Sequence, residues 1–233
     1  FIGKDTLIIK GDNYPFARKS YVTIKTPKRT TVVAFRFNAS SSNLTQEYIN
    51  ENKGRVSFDL PEVYELANII WVLSPSGKNA TNLQKDTKYY KEVQKFFKPF
   101  LNHPIFNKLN FQEENDYTQK YFEFRENSFI YEFNGDKIVK GESYNYVFGN
   151  DWQGFSNLFT ELLPLVQDFS DKSNFRKFYK KHKKYYTNDL KRVSELLPLK
   201  NMQNWLEKEF PIKHNAYKVI ISPLIGGSHS TQK

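Results

Sequence analysis

The chain has no cysteine among its 233 residues, and that absence removes disulfides, thiolate nucleophiles and thiolate metal sites together. No apolar run approaches the roughly 18 residues that a membrane-spanning helix needs. No signal-peptide pattern is visible either, because the sequence is already polar at Lys4-Asp5. G-x-S-x-G, the P-loop and G-x-G-x-x-G are all missing, so the chemistries built on those turns get no support. The four histidines are His103, His182, His214 and His229, and no pair has the H-x-x-x-H spacing that sets two imidazoles on one helix turn around zinc. Arginine is scarce as well. Of 35 basic residues about four in five are lysine, so the net charge of +10 lacks the side chain suited to bidentate phosphate and guanine contacts. No nucleic-acid partner is expected.

What is present is aromatic. With 21 Phe and 15 Tyr, and aromatics at 17% of the chain, the core is expected to be built more from rings than from branched aliphatics. Residues 1 to 45 read as β, through Leu7-Ile8-Ile9, Tyr21 to Ile24 and Thr31 to Phe37, separated by polar turns such as Thr26-Pro27-Lys28. Residues 38 to 54 form a polar stretch suited to a linker or exposed loop. Two units are therefore expected: a β-rich segment with its linker over 1–54, and a helical α+β domain over 55–233.

In the second unit Asp59-Leu60-Pro61-Glu62 predicts a helix start, with Asp59 as the capping acceptor. Val63, Leu66, Ala67, Ile70 and Leu73 follow at helical spacing until Ser74-Pro75-Ser76-Gly77 stops the run. A second helix is predicted from near Asp86 to Phe100, burying Tyr89, Val93, Phe96, Phe97 and Phe100. Asn134-Gly135 between two short apolar runs is a hairpin signal. Helical stripes follow over Phe155 to Phe169, interrupted by Pro164, and over Phe175 to Leu197, with a shorter helix around Met202 and Trp205. Ala216 to Leu224 reads as a strand, and Pro223 in it argues for an edge position because proline cannot donate to a ladder.

Most polar groupings have a plain structural reading. The lysines of Lys177 to Lys184 stand opposite the Phe175/Tyr179/Tyr186 stripe and read as a solvated face. His182 lies on that stripe and reads as a hydrogen-bonded core histidine; His103, before Pro104, reads as structural. Glu113-Glu114 and Glu207/Glu209 read as surface charge, and Asp151 as a helix cap.

Three stretches carry a resemblance. They are Tyr64-Glu65-Leu66 to Leu73; Tyr90-x-x-Val93-x-x-Phe96-Phe97-x-Pro99-Phe100-x-x-His103-Pro104; and Phe178-Tyr179 to Tyr186 followed by Val219 to Gly227. Their order resembles the bacterial domain of unknown function 4932 family of zincin-like metallopeptidases, over roughly residues 55 to 233. The resemblance implies a zincin-like α+β fragment: a mostly helical body, a small antiparallel sheet and a β-rich amino-terminal piece. In such proteins a strand like Val219 to Leu224 precedes a helix bearing H-E-x-x-H, whose histidines bind zinc and whose glutamate acts on the zinc-bound water. That motif is not in this chain, so no catalytic residue and no metal ligand carries over. Zinc is expected only where a continuation supplies it, and either terminus is expected to be a cut. What carries over is an edge strand able to hold a peptide or protein substrate, with Ile220, Ser222 and Leu224 lining it and Gly226-Gly227 turning the backbone away. The expected function is the upstream portion of a zinc-dependent peptidase-like protein, secreted or periplasmic. A non-catalytic extracytoplasmic binding or adhesion module is the first alternative, and a basic nucleic-acid-associated protein the second.

Overall fold

The computed structural model describes residues 19–36, 46–111, 120–121, 123–141, 158–209 and 216–226. Its first element is a hairpin of β1 (Lys19–Lys25) and β2 (Thr30–Arg36), antiparallel, with Val22 opposite Val33. Its turn is closed at both ends by Thr26, whose N–H donates to Arg29 O at 2.8 Å and whose Oγ1 accepts from Arg29 N at 3.1 Å. The runs around Leu7 and at Phe37, residues 38–45, Glu113-Glu114, Asp151, Phe155, His214, Gly227 and His229 lie outside the described residues.

The polar stretch read as a linker is in part a helix, α1 (Gln46–Asn52), which ends on Gly54 at φ +73. It buries nothing, which is why no apolar stripe announced it. Next comes β3 (Val56–Asp59) and then α2 (Glu62–Leu73). Asp59 does not cap this helix, contrary to the sequence expectation. It is the last residue of the strand, and its carboxylate pairs with Lys218 at 3.3 Å. Pro61 takes the cap position with extended backbone and no side-chain cap bond. Glu65 N donates to Pro61 O at 2.9 Å to close the first turn.

α2 is buried on every side from Val63 to Leu73, so its stripe was only half of what it covers. Apolar residues all round make a central helix. Around it pack α3 (Lys88–Phe97), α4 (Ile105–Lys108), the hairpin of β4 (Tyr131–Asn134) and β5 (Lys137–Lys140), α5 (Leu158–Ser173) and α6 (Phe175–Leu196). α3 starts at Thr87, whose hydroxyl accepts from Tyr90 N at 3.1 Å. Its Phe96 is 36% exposed and not part of the buried face. Gly135 takes φ +58 in the predicted Asn134-Gly135 turn. α5 runs on through Pro164 without breaking.

The body is mostly helical α+β, and its core is the expected stack of rings. Phe97 lies 5.0 Å from Phe178 and 5.8 Å from Phe169, centroid to centroid, and Trp71 lies 5.1 Å from Tyr121. After α6, the helix α7 (Leu199–Glu209) buries none of its residues.

The last described strand is β6 (Tyr217–Ile220), shorter than the predicted Ala216 to Leu224. It pairs with β3 in parallel, unlike the two antiparallel hairpins, with Val56 opposite Tyr217 and Asp59 opposite Ile220. Parallel neighbours need a long crossover, and here the crossover is the helical body itself.

Candidate functional site

Two features meet at the end of β6: a strand edge without a strand partner among the described residues, and a buried carboxyl beneath the turn that follows. On β6, Tyr217 N donates to Arg55 O and Ile221 N to Asp59 O, both at 3.0 Å. Strand backbone alternates, so the N–H and C=O groups of Lys218 and Ile220 face the opposite edge. Among the described residues β6 has no strand partner but β3, so no described strand takes up those groups.

The strand stops at Ile220 because Ser222-Pro223-Leu224 is a turn. Ser222 Oγ accepts from Leu224 N at 3.2 Å, and Ser222 O accepts from Ile225 N at 3.3 Å. The turn is fastened to the segment before α3. Gln84 N donates to Leu224 O at 2.9 Å, Gly226 N to Asn82 O at 2.6 Å, and Leu83 bridges Ile225 antiparallel. A Cβ on Gly226 would come within 1.9 Å of Gln84 Nε2, the far end of a flexible side chain, but no closer than 3.6 Å to Asn82 O.

The residues expected to line a substrate edge are therefore separated. Ile220 is on the strand and half-buried, Ser222 is buried in the turn, and Leu224 is fully buried in the core. Gly226 is half-buried and holds the pairing with Asn82. Leu224 presents no side chain to a partner.

Beneath the turn lies Glu65 of α2, which the sequence reading passed over. It is fully buried. Its Oε1 accepts from Tyr89 OH at 2.7 Å, and Tyr89 OH lies 2.7 Å from Tyr186 OH. Because Tyr89 gives its proton to Glu65, Tyr186 must be the donor to Tyr89. Ser222 acts on the same carboxyl as a further donor, while Oε2 makes no hydrogen bond of ordinary geometry. Burial pushes the Glu65 carboxyl up to about 8, against the hydrogen bonds from Tyr89 and Ser222 that pull it down; Asp189 adds a little to the rise. Tyr89 and Tyr186 are raised for the same first reason, desolvation, with the Glu65 charge next. A signal for this site existed in the sequence. Glu65 is a lone acid set among Val63, Tyr64, Leu66, Ala67, Ile69 and Ile70.

The two described histidines are both occupied. His103 Nε2 meets Asp168 Oδ2 at 2.8 Å, and its Nδ1 accepts from Ile105 N at 3.3 Å. His182 faces Phe178 O through Nδ1 at 2.9 Å and Glu92 Oε2 through Nε2 at 2.6 Å, the core histidine that its stripe suggested. Hydrogen bonds from Lys172 and then His103 hold Asp168 below the usual carboxylate range, and the one from His182 does the same for Glu92. Zinc needs free nitrogen lone pairs converging. With both ring nitrogens of each engaged by protein partners, His103 and His182 offer no free nitrogen to a zinc ion. We expect that the purified chain carries no stoichiometric zinc through His103 or His182. Metal analysis by mass spectrometry checks this, and one equivalent of zinc lost on His103→Ala or His182→Ala would contradict it.

On α6, Lys177, Lys180, Lys181, Lys183 and Lys184 are all exposed, opposite the buried Phe175, Phe178, His182 and Tyr186. No described helix is long and apolar enough to cross a membrane. No protein-family model matches the chain, nor does any curated protein or solved structure.

Proposed function

We propose that this chain is the substrate-side scaffold of a zincin-like, peptidase-type protein, and that its own contribution is to hold an extended peptide along β6. The observation that carries the reading is the outward edge of β6, where the backbone groups of Lys218 and Ile220 have no described strand partner. A peptide added there would be held by main-chain hydrogen bonds, with alternate side chains setting preference. The edge is fixed at both sides of its length. β3 pairs it from Val56 to Asp59, and the Ser222-Leu224 turn docks its end on the core. The resemblance carried by residues 64–73, 90–104 and 219–227 supports the peptidase context. An extracytoplasmic setting belongs to the same proposal, and a chain without cysteine is compatible with it.

A second reading, a binding module without hydrolysis, is favoured by one observation: both described histidines are consumed by structural partners. The two readings share the β6 edge and differ only in what happens to the peptide.

The test is backbone-specific. A fluorescent peptide of about eight alternating Val and Thr residues is expected to bind, since strand addition draws on main-chain bonds. The same peptide N-methylated on alternate amides should lose at least about tenfold in affinity, because its donors to the edge are blocked. Equal binding of both peptides, or no binding of either at millimolar concentration, would remove the proposal.

A further inference from the structure

We infer that the apex of the β1–β2 hairpin is a docking tip for an anionic lipid surface, entering the headgroup layer end-on. This tip does not involve β6, and it holds whether or not a peptide binds there. Its charge is set by the sequence. Between Asp12 and Glu47 there is no acidic residue, while Arg18, Lys19, Lys25, Lys28, Arg29 and Arg36 are all basic. Three of the chain's seven arginines fall in this one stretch. Lys25, Lys28 and Arg29 gather at the turn of the hairpin, and none of them has a carboxylate partner among the described residues. Lys88, Lys172, Lys191 and Arg192, by contrast, each meet a carboxylate on their own helix.

Charge alone suits any polyanion, and the apolar surface narrows the choice. Every residue from Thr23 to Thr30 is exposed, and Ile24 and Val32 are 46% and 59% exposed. Thr23 stands opposite Val32, and Ile24 opposite Thr31. Successive pairs of a ladder point to alternate faces, so Ile24 and Val32 leave the ribbon on opposite sides. A ribbon laid in a nucleic-acid groove covers one face and leaves the other in water. A tip pushed end-on among headgroups covers both, while the lysine and arginine stems let their charges reach the lipid phosphates. The turn itself is suited to partial desolvation. Thr26 N and Thr26 Oγ1 donate to Arg29 O at 2.8 and 3.0 Å, and Arg29 N donates to Thr26 Oγ1 at 3.1 Å. Pro27 has no N–H, so few backbone donors at the apex would lose water unmatched. Among the described strands β1 and β2 pair only with each other, which leaves the apex clear of a second sheet.

The experiment sediments the whole chain with vesicles, either phosphatidylcholine alone or phosphatidylcholine with about one-third phosphatidylglycerol, in about 0.1 M salt. Binding is expected to the anionic vesicles only, at roughly millimolar lipid, and reversibly. Lys25→Gln, Lys28→Gln and Arg29→Gln together should weaken it by about 100-fold, since each cation at the surface contributes about fivefold. Ile24→Ser with Val32→Ser, all cations kept, should weaken it by about tenfold. Replacing Lys180, Lys181, Lys183 and Lys184 of α6 with Gln should leave it within about threefold. No binding to the anionic vesicles, unchanged binding in the triple variant, or a loss confined to the α6 variant overturns the tip. Wild-type affinity in the Ile24→Ser, Val32→Ser variant overturns it as well, because charge without insertion is what any polyanion would read. Salt-sensitive binding to a DNA duplex through the same three cations, with no binding to vesicles, puts a nucleic acid in the place of lipid.

Discussion

Replacing Phe178 with alanine is expected to destabilise the chain by about 3–5 kcal/mol, a loss comparable to the whole stability of many domains. Phe178 is 2% exposed and joins α6 to α3. Its ring centroid lies 4.8 Å from Phe96, 5.0 Å from Phe97, 6.0 Å from Tyr89 and 4.2 Å from His182. Truncation removes the buried ring and leaves a cavity whose walls are other rings, which relax poorly into the space. Phe96→Ala, at a residue 36% exposed, should cost much less because water already reaches that side chain. Urea unfolding of the two variants beside the wild type makes the comparison. A loss below about 1 kcal/mol for Phe178→Ala would mean that the α3–α6 junction is not the packed core described here.

The second large effect is electrostatic. Glu65 carries a carboxyl raised from its ordinary 4.5 to about 8, and the first cause is burial. In the folded chain it keeps its proton across a range in which the unfolded chain gives its proton up. Stability from this group is therefore full below about 4.5 and drains away as pH rises towards 8, at up to about 1.4 kcal/mol per pH unit. Gln at position 65 keeps an amide oxygen that can accept from Tyr89 and has no charge to lose. Glu65→Gln is accordingly expected to be more stable than the wild type at pH 7, by about 1–3 kcal/mol, and near parity below pH 4.5. Unfolding free energies measured from pH 4 to 9 check this. A wild-type profile that is flat over that span, or a variant less stable at pH 7, would contradict it.

Helix stripes were legible because their period is local. Phe175, Phe178, His182 and Tyr186 repeat at helical spacing, and all are buried in α6. Asn134-Gly135 gave its hairpin for the same reason, since two residues with the right backbone freedom suffice. What was hidden depends on partners far along the chain. β3 and β6 are separated by the whole helical body, so nothing near Val56 to Asp59 marks a strand, and Asp59 looked like a cap. The end of β6 was misjudged because Ile221 continues the apolar run of Val219 and Ile220, and Leu224 lies just beyond it. The stop comes from Ser222 Oγ capturing Leu224 N and from the docking of Leu224 into the core. Tyr89 and Tyr186 were legible as stripe residues, but their hydroxyl contact spans 97 positions and only the fold brings it to Glu65. Polar residues in an apolar helix are usually read as its wet face. In α2 there is no wet face, because α3 and α6 close over Glu65.

The edge of β6 is tested most directly by amide hydrogen exchange at single residues, with and without the extended Val/Thr peptide. The account predicts that Lys218 and Ile220, whose amides face the edge away from β3, slow by about tenfold or more when the peptide binds. Tyr217 and Ile221, already bonded to Arg55 and Asp59, should change little. Peptide binding that leaves Lys218 and Ile220 unprotected, or that protects all four amides alike, would contradict a strand added along β6.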